Sequence, residues 1–202
     1  MRQLGGVVRK KLKQGPANLW EIAQAREDIC FGVGESTLGL VLVALSAGGA
    51  VAISLGDEVA ELVEELRAAF PAAEISRQDR ECRDVVAQVV AYMENPSVKL
   101  EVPLDIRGTD FQKRVWQAVR KVPLGTTSTY SDIARKIGRP KAIRAVGSAC
   151  AKSNFAVVIP CHRVLHKDGS LSGGYYGTTG RQRVMLEREA GLRQKPRSGR
   201  GK

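Results

Sequence analysis

Histidine is scarce in this chain of 202 residues, which has two, and aromatic residues make up only 5% of it. Any imidazole chemistry must therefore pass through His162 or His166. The four cysteines, at positions 30, 82, 150 and 161, form no CxxC pair, which removes the usual zinc-ribbon and dithiol-oxidoreductase spacings. They are too sparse for a disulfide scaffold, so we read them as reduced thiols of a cytoplasmic protein. No apolar run approaches the roughly 20 residues that a membrane-spanning helix needs. The basic start, "MRQLGGVVRKKLK", leads into no apolar segment with a small-residue cleavage site, so a secretory leader is not expected. No internal repeat is present.

Acidic residues are scarce in one half only. The net charge is +11, yet residues 14–106 hold sixteen acids and six bases, whereas residues 107–163 hold two acids and twelve bases. Residues 1–13 and 193–202 add five bases each and no acid. Basic ends alone serve solubility as well as binding. A single-sign block inside the folded body is what a polyanion-binding surface needs, and nucleic acid is the first partner it suggests.

The two halves also differ in pattern. "DICFGVG", "LGLVLVAL" and "AVAISLG" are short β-rich runs separated by glycine and serine turns, which predicts a small antiparallel sheet. "DEVAELVEELRAAF" repeats Val59, Leu62, Val63, Leu66 and Phe70 at helical spacing, and "DRECRDVVAQVVAYM" predicts a second helix. Cys30 is expected in the core of a strand, and Cys82 packed on a helix. "NPSVKLEVPLDIRG" is extended and carries two prolines, so it reads as a connector. Beyond it, "TDFQKRVWQAVRKV" predicts a helix capped by Thr109 with Phe111, Val115, Trp116 and Val119 on one stripe. "STYSDIARKIG" predicts a short helix closed by Gly138, and "RPKAIRAVGSACAKS" a helix with Pro140 in its first turn. A last helix runs through "RQRVMLEREAG". These signals divide the chain into a basic extension 1–26, an α/β unit 27–95, a connector 96–108, a mainly helical unit 109–192 and a basic disordered tail 193–202.

The pair within "DIARKIGRPKAIRAVGSA" has the helix-turn-helix pattern: Ala134 permits close approach and Gly138, four residues on, supplies the turn. Arg135, Lys136, Arg139, Lys141 and Arg144 cluster there against Asp132 alone. Just downstream comes "VVIPCHRVL", Val157 to Leu165. A cysteine attacks as its thiolate and needs a base, and the base needs an orienting group. In an extended segment His162 would point away from Cys161, so a bend after Pro160 or a bridging water has to link them. Cys150 is expected mid-helix as packing and His166 on a loop. Cys150, Cys161, His162 and His166 are too irregularly spaced for a zinc site, and no metal is expected.

"IPCHRV", "TSTYSDIARKIGRPKAIRAVGSAC" and "GTDFQKRVWQAVRKVPLG" together resemble the O6-alkylguanine-DNA alkyltransferase family, most closely the catalytic half of its Ada-type members. The resemblance covers roughly residues 27–192. It implies an α/β N-terminal ribonuclease-H-like domain and a mainly α C-terminal winged helix-turn-helix domain. It also implies a single irreversible transfer of an alkyl group from guanine O6, or thymine O4, to the protein's own cysteine, without a cofactor. The implied partner is double-stranded DNA containing alkylated guanine, met by a monomer and not by a membrane protein. By position, Cys161 is the alkyl acceptor, His162 the water-linked base and Glu189 the group that orients it. Tyr130 meets the flipped guanine and Arg144 fills the gap in the duplex, with Arg135 and Lys141 beside it on the DNA side. Val164 is expected to line the pocket.

Two positions depart from the family pattern. The hinge asparagine expected eight residues before the cysteine is Ser153 here, with Asn154 one residue late. In the binding loop, "SGGYYG" places either Gly174 or Tyr175 where the pocket tyrosine belongs. Regulatory Ada-type members carry an upstream four-cysteine zinc domain, and residues 1–26 contain no cysteine. A lesion binder that transfers nothing, or a fragment of an Ada-type regulator, are the alternatives.

Overall fold

The computed structural model describes residues 27–173 and 175–193. Strands β1 (Asp28–Ser36), β2 (Gly39–Ser46) and β3 (Gly49–Gly56) form an antiparallel meander. Helix α1 (Val59–Ala69) then crosses to β4 (Glu74–Arg77), which pairs in parallel with β1. The sheet is therefore mixed, in the order β3-β2-β1-β4, rather than purely antiparallel as expected. Strand β4, "EISR", escaped the sequence reading because it is four residues long and all but Ile75 are polar.

Period-two alternation sorts β2 between two cores. Leu42 and Ala44 face α1 with Leu62 and Leu66, whereas Val41 and Val43 join Val86, Val89 and Met93 of α2 (Asp79–Glu94) and the apolar residues of the second half. Burial of each such aliphatic side chain contributes about 1.5–3 kcal/mol. Helix α2 lies tightly on β1 because the strand offers glycines there. A Cβ at Gly34 would fall 2.4 Å from Val86 Cγ1, and one at Gly32 would fall 2.6 Å from Cys82 Cβ. Cys82 is fully buried, but Cys30 is only partly so, a correction to its expected core position.

The second half holds α3 (Asp110–Arg120), α4 (Tyr130–Lys136), α5 (Ile143–Ala151) and α6 (Thr179–Arg193), with a two-residue pairing of β5 (Ser128–Thr129) and β6 (Val164–Leu165). Thr109 caps α3 through a reciprocal box with Gln112, a contact of about 1 kcal/mol, and Val115, Trp116 and Val119 are buried as the stripe predicts. Helices α4 and α5 meet at Gly138, whose φ of 71° suits glycine. Helix α5 starts at Ile143, not at Pro140. Arg139–Ala142 close a turn instead, through Ala142 N–H to Arg139 C=O at 2.9 Å. Helix α6 extends to Arg193, one residue into the stretch read as tail.

The outer edge of β3 joins the two halves. Ala50 exchanges hydrogen bonds with Pro103 and Asp105 of the connector, 2.8 Å each. Three residues on, Ile53 N–H donates to Asn154 C=O at 2.6 Å, and Ala156 N–H donates to Ile53 C=O at 2.8 Å. The segment entering the cysteine motif is thus paired to the N-terminal sheet. Among the described residues no helix is long and apolar enough to cross a membrane.

Candidate active site

Between the segment paired to β3 and Cys161 the chain bends twice. Val158 N–H donates to Ala156 C=O at 2.6 Å around Val157, whose φ is 56°. This is a γ-turn of the rarer, strained kind, on a β-branched residue that ordinarily avoids positive φ. Cys161 N–H then donates to Ile159 C=O at 2.7 Å around Pro160, at φ −76° and ψ 63°, the commoner inverse γ-turn. Cys161–Arg163 follow as one 3₁₀ turn. The bend that an extended "PCH" needed is therefore built into the backbone.

All three side chains of this turn are buried. His162 Nε2 meets Glu189 Oε1 at 2.8 Å. Arg163 clasps the same carboxylate twice, Nε to Oε2 and Nη2 to Oε1, both at 2.9 Å. It also donates to Val122 C=O at 2.7 Å and to the Tyr92 hydroxyl at 2.9 Å. Gly125 N–H supplies a further, longer donor to Glu189 at 3.4 Å. Burial alone would raise the Glu189 pKa, but hydrogen bonds from His162 and Arg163 outweigh it and hold the carboxyl at about 2. For His162 burial prevails over the pull of Glu189, so its pKa falls and the ring is neutral at pH 7.

With its Nε2–H given to Glu189, His162 presents Nδ1 as an acceptor. That atom meets the Tyr175 hydroxyl at 3.3 Å, and the same hydroxyl accepts the N–H of strained Val157 at 3.3 Å. The phenol thus ties the base to the bend. Cys161 is a neutral thiol at rest: the adjoining Cys150 thiol and burial both push its pKa up, against a smaller opposing effect of the Ser153 hydroxyl. Tyr130 is likewise held neutral by burial, with a hydrogen bond to Ser172 opposing. Gln182 completes the wall, donating to His162 C=O at 3.1 Å and accepting from Ser172 at 2.9 Å.

The loop that carries Tyr175 is anchored from outside. The Tyr176 hydroxyl donates to Ser153 C=O at 3.0 Å, with Ile53 C=O at 3.4 Å, and its backbone has φ 44° and ψ 56°. Arg181 donates to Tyr176 C=O, to Leu38 C=O at 2.8 Å and to Asp57 at 2.5 Å.

A similar fold and sequence occur in known proteins. The family described as "6-O-methylguanine DNA methyltransferase, DNA binding domain" matches residues 110–191. The bifunctional transcriptional activator/DNA repair enzyme Ada of Escherichia coli is 43% identical over 185 residues, covering 92% of this chain but 50% of that protein. The inducible methylated-DNA–protein-cysteine methyltransferase of Bacillus subtilis is 33% identical over 174 residues, covering 86% of this chain and 91% of that one. The chain belongs to the methylated-DNA–protein-cysteine methyltransferase family. It spans half the length of the Ada relative. Mycobacterium tuberculosis OGT, in its crystal structure in complex with DNA, superposes with a TM-score of 0.68 at 31% identity, over 81% of this chain and 93% of that one.

His162 meets Glu189 and Tyr175, and Cys161 lies buried in the same turn as His162; Val164, expected to line the pocket, is buried and pairs with Ser128. Of the two loop alternatives, Tyr175 meets His162 through its hydroxyl, and Gly174 lies outside the described residues. Ser153 faces the thiol side, but Asn154 is exposed and lines a cleft of about 870 Å³ with Phe70, Trp116 and Phe155, away from the cysteine. Arg135, Lys141 and Arg144 are exposed on α4, on the turn and on α5, with Arg135 ion-paired to Asp132. Sequence reasoning missed Tyr92, Tyr176, Arg181 and Gln182, and it gave Cys150 no role beside Cys161. Only the three-dimensional path of the chain brings these together.

Proposed function

We propose that this protein repairs DNA by moving an alkyl group, methyl above all, from O6 of guanine or O4 of thymine to Cys161, once per molecule. The observation that carries this is the buried turn holding Cys161 and His162, with the far nitrogen of His162 fixed on Glu189 Oε1 at 2.8 Å. The proton leaves sulfur through a bridging water for His162 Nδ1, the nitrogen that the Tyr175 hydroxyl meets in the resting site. The Cys161 thiolate attacks the alkyl carbon, the S–C bond forms and the C–O6 bond breaks. The leaving base is neutralised by a proton from the Tyr130 phenol. Glu189 stabilises the imidazolium that forms, and Arg163 keeps Glu189 ionised, in the general logic of a nucleophile, its base and an orienting acid.

The α4–turn–α5 pair is read as the helix-turn-helix of a winged DNA-binding domain, over 109–192, joined through 96–108 to a ribonuclease-H-like domain over 27–95. The exposed cations Arg135, Lys141 and Arg144 support duplex DNA as the partner. Arg144, exposed as the second residue of α5, is read as the side chain that enters the duplex where the damaged base is flipped out, an event that costs a few kcal/mol. The structure of the mycobacterial relative with DNA supports the same partner.

Intact-mass measurement after incubation with duplex DNA carrying O6-methylguanine tests the proposal. One added methyl, mapped to Cys161, is expected, with Cys161→Ala binding DNA but gaining nothing. Binding without methyl gain by the wild-type protein would make it a lesion binder, and methylation of the Cys161→Ala variant elsewhere would move the acceptor.

A further inference from the structure

Two cysteines that take no part in the site described above lie against each other. Cys30 of β1 and Cys82 of α2 are 52 positions apart in sequence, yet their sulfurs are 3.8 Å apart. The contact is held by the backbone around it. Gln78 N–H donates to Phe31 C=O at 2.8 Å and the Asp79 carboxylate accepts from Val33 N–H at 3.2 Å, which fixes the start of α2 over β1. Gly32, between these two contacts on β1, allows the close approach, since a Cβ there would collide with Cys82. Cys30 is partly exposed, whereas Cys82, Cys150 and Cys161 are buried.

We propose that Cys30 and Cys82 form a reversible oxidation site that reacts with hydroperoxides ahead of the acceptor thiol Cys161. Two differences favour Cys30 over Cys161 as the first target: it is reachable and it is the more acidic thiol. Each has a second sulfur beside it to resolve the product, Cys82 for Cys30 and Cys150 for Cys161. The hydrogen bond from Cys82 brings Cys30 to about 7, while Cys161 is pushed upward. Thiolate character and exposure together set susceptibility to oxidation. Two effects oppose the acidity of Cys30, its own partial burial and the charge of Glu81.

The steps balance. The Cys30 thiolate attacks one peroxide oxygen, the O–O bond breaks, and the departing oxygen leaves as an alcohol, or as water from hydrogen peroxide. Cys82 sulfur then attacks the sulfenic acid on Cys30, the S–S bond forms, the S–O bond breaks and water leaves. Two thiols lose two protons and two electrons, and the peroxide takes them up. A thiol reductant reverses the reaction by exchange. The acceptor Cys161, which acts once, is thereby spared.

The test is titration of the reduced, full-length protein with hydrogen peroxide at pH 7.5, followed by non-reducing peptide mass mapping and by assay of methyl transfer. A Cys30–Cys82 cross-linked peptide, two hydrogens lighter than its parts and reversed by dithiothreitol, is expected before any change at Cys161. Cys82→Ser should instead leave a sulfenic acid on Cys30 that dimedone traps, and Cys30→Ser should give no cross-link. In both variants, transfer without peroxide should equal that of the wild type. Oxidation of Cys161 ahead of Cys30, a Cys150–Cys161 cross-link, or over-oxidation of Cys30 while Cys82 stays reduced would each overturn the proposal.

Discussion

Replacing Glu189 by Gln should weaken both the fold and the reaction, and acid should reveal the reason. The carboxylate is 1% exposed and receives His162, Arg163 twice and Gly125. Its pKa of about 2 lies some two units below the ordinary glutamate value of ~4.3, a linkage contribution of about 3 kcal/mol at pH 7. The folded value is the depressed one, so this stability is complete above about pH 4.3 and fades as pH falls toward 2. His162 adds in the same direction. Its folded pKa is lowered by burial, so the unfolded chain takes up a proton that the folded site refuses, and stability declines as pH drops below ~6.5. The Gln variant keeps the shape but leaves the Arg163 guanidinium buried without its anion, a loss of about 3–5 kcal/mol. Urea unfolding of both proteins from pH 7 to pH 3 measures the difference, which should shrink below about pH 4.3. Adding Arg163→Met should cost less than the two single losses summed, since one clasp is removed in both. A difference constant across that range, or smaller than about 1 kcal/mol at pH 7, would refute the assignment of Glu189 as the ionised centre of the cluster.

Two further substitutions separate DNA handling from chemistry. Arg144→Ala should slow repair in duplex DNA by tenfold or more, about 1.4 kcal/mol, while hardly altering reaction with free O6-benzylguanine, which needs no flipping; equal losses on the two substrates would remove Arg144 from that role. Tyr176→Phe should cost about 1–2 kcal/mol of stability by leaving Ser153 C=O without its donor, and should lower the single-turnover rate at saturating protein with DNA affinity unchanged; weakened affinity at an unchanged rate would contradict its role in anchoring the Tyr175 loop.

Much of the fold was legible because its signals are local. The cap at Thr109, the stripe Val115–Trp116–Val119 and the turn at Gly138 each follow from residues within a few positions of one another. Cys161 and His162 were legible as a candidate nucleophile and base because they share one short motif, whereas Glu189, 27 residues from His162, was legible only through family resemblance. What stayed hidden depends on distant encounters. Tyr92 reaches Arg163 across 71 positions, and Arg181 reaches Leu38 across 143. Periodicity carries no information about either. Pro140 misled for a different reason: it suits a first helical turn and a β-turn equally, and the backbone of Arg139–Ala142 took the turn.

The outer edge of β3 has a consequence for how the molecule comes apart. Ala50 holds the connector and Ile53 holds the segment entering the acceptor turn. Separating the halves would bare that strand's unpaired amides and carbonyls to water and to other chains, and would open the apolar cluster that both halves share. Neither half therefore has a complete surface of its own. The protein should melt in one cooperative transition, with calorimetric and van't Hoff enthalpies in agreement, although its sequence divides so cleanly into an acidic and a basic part.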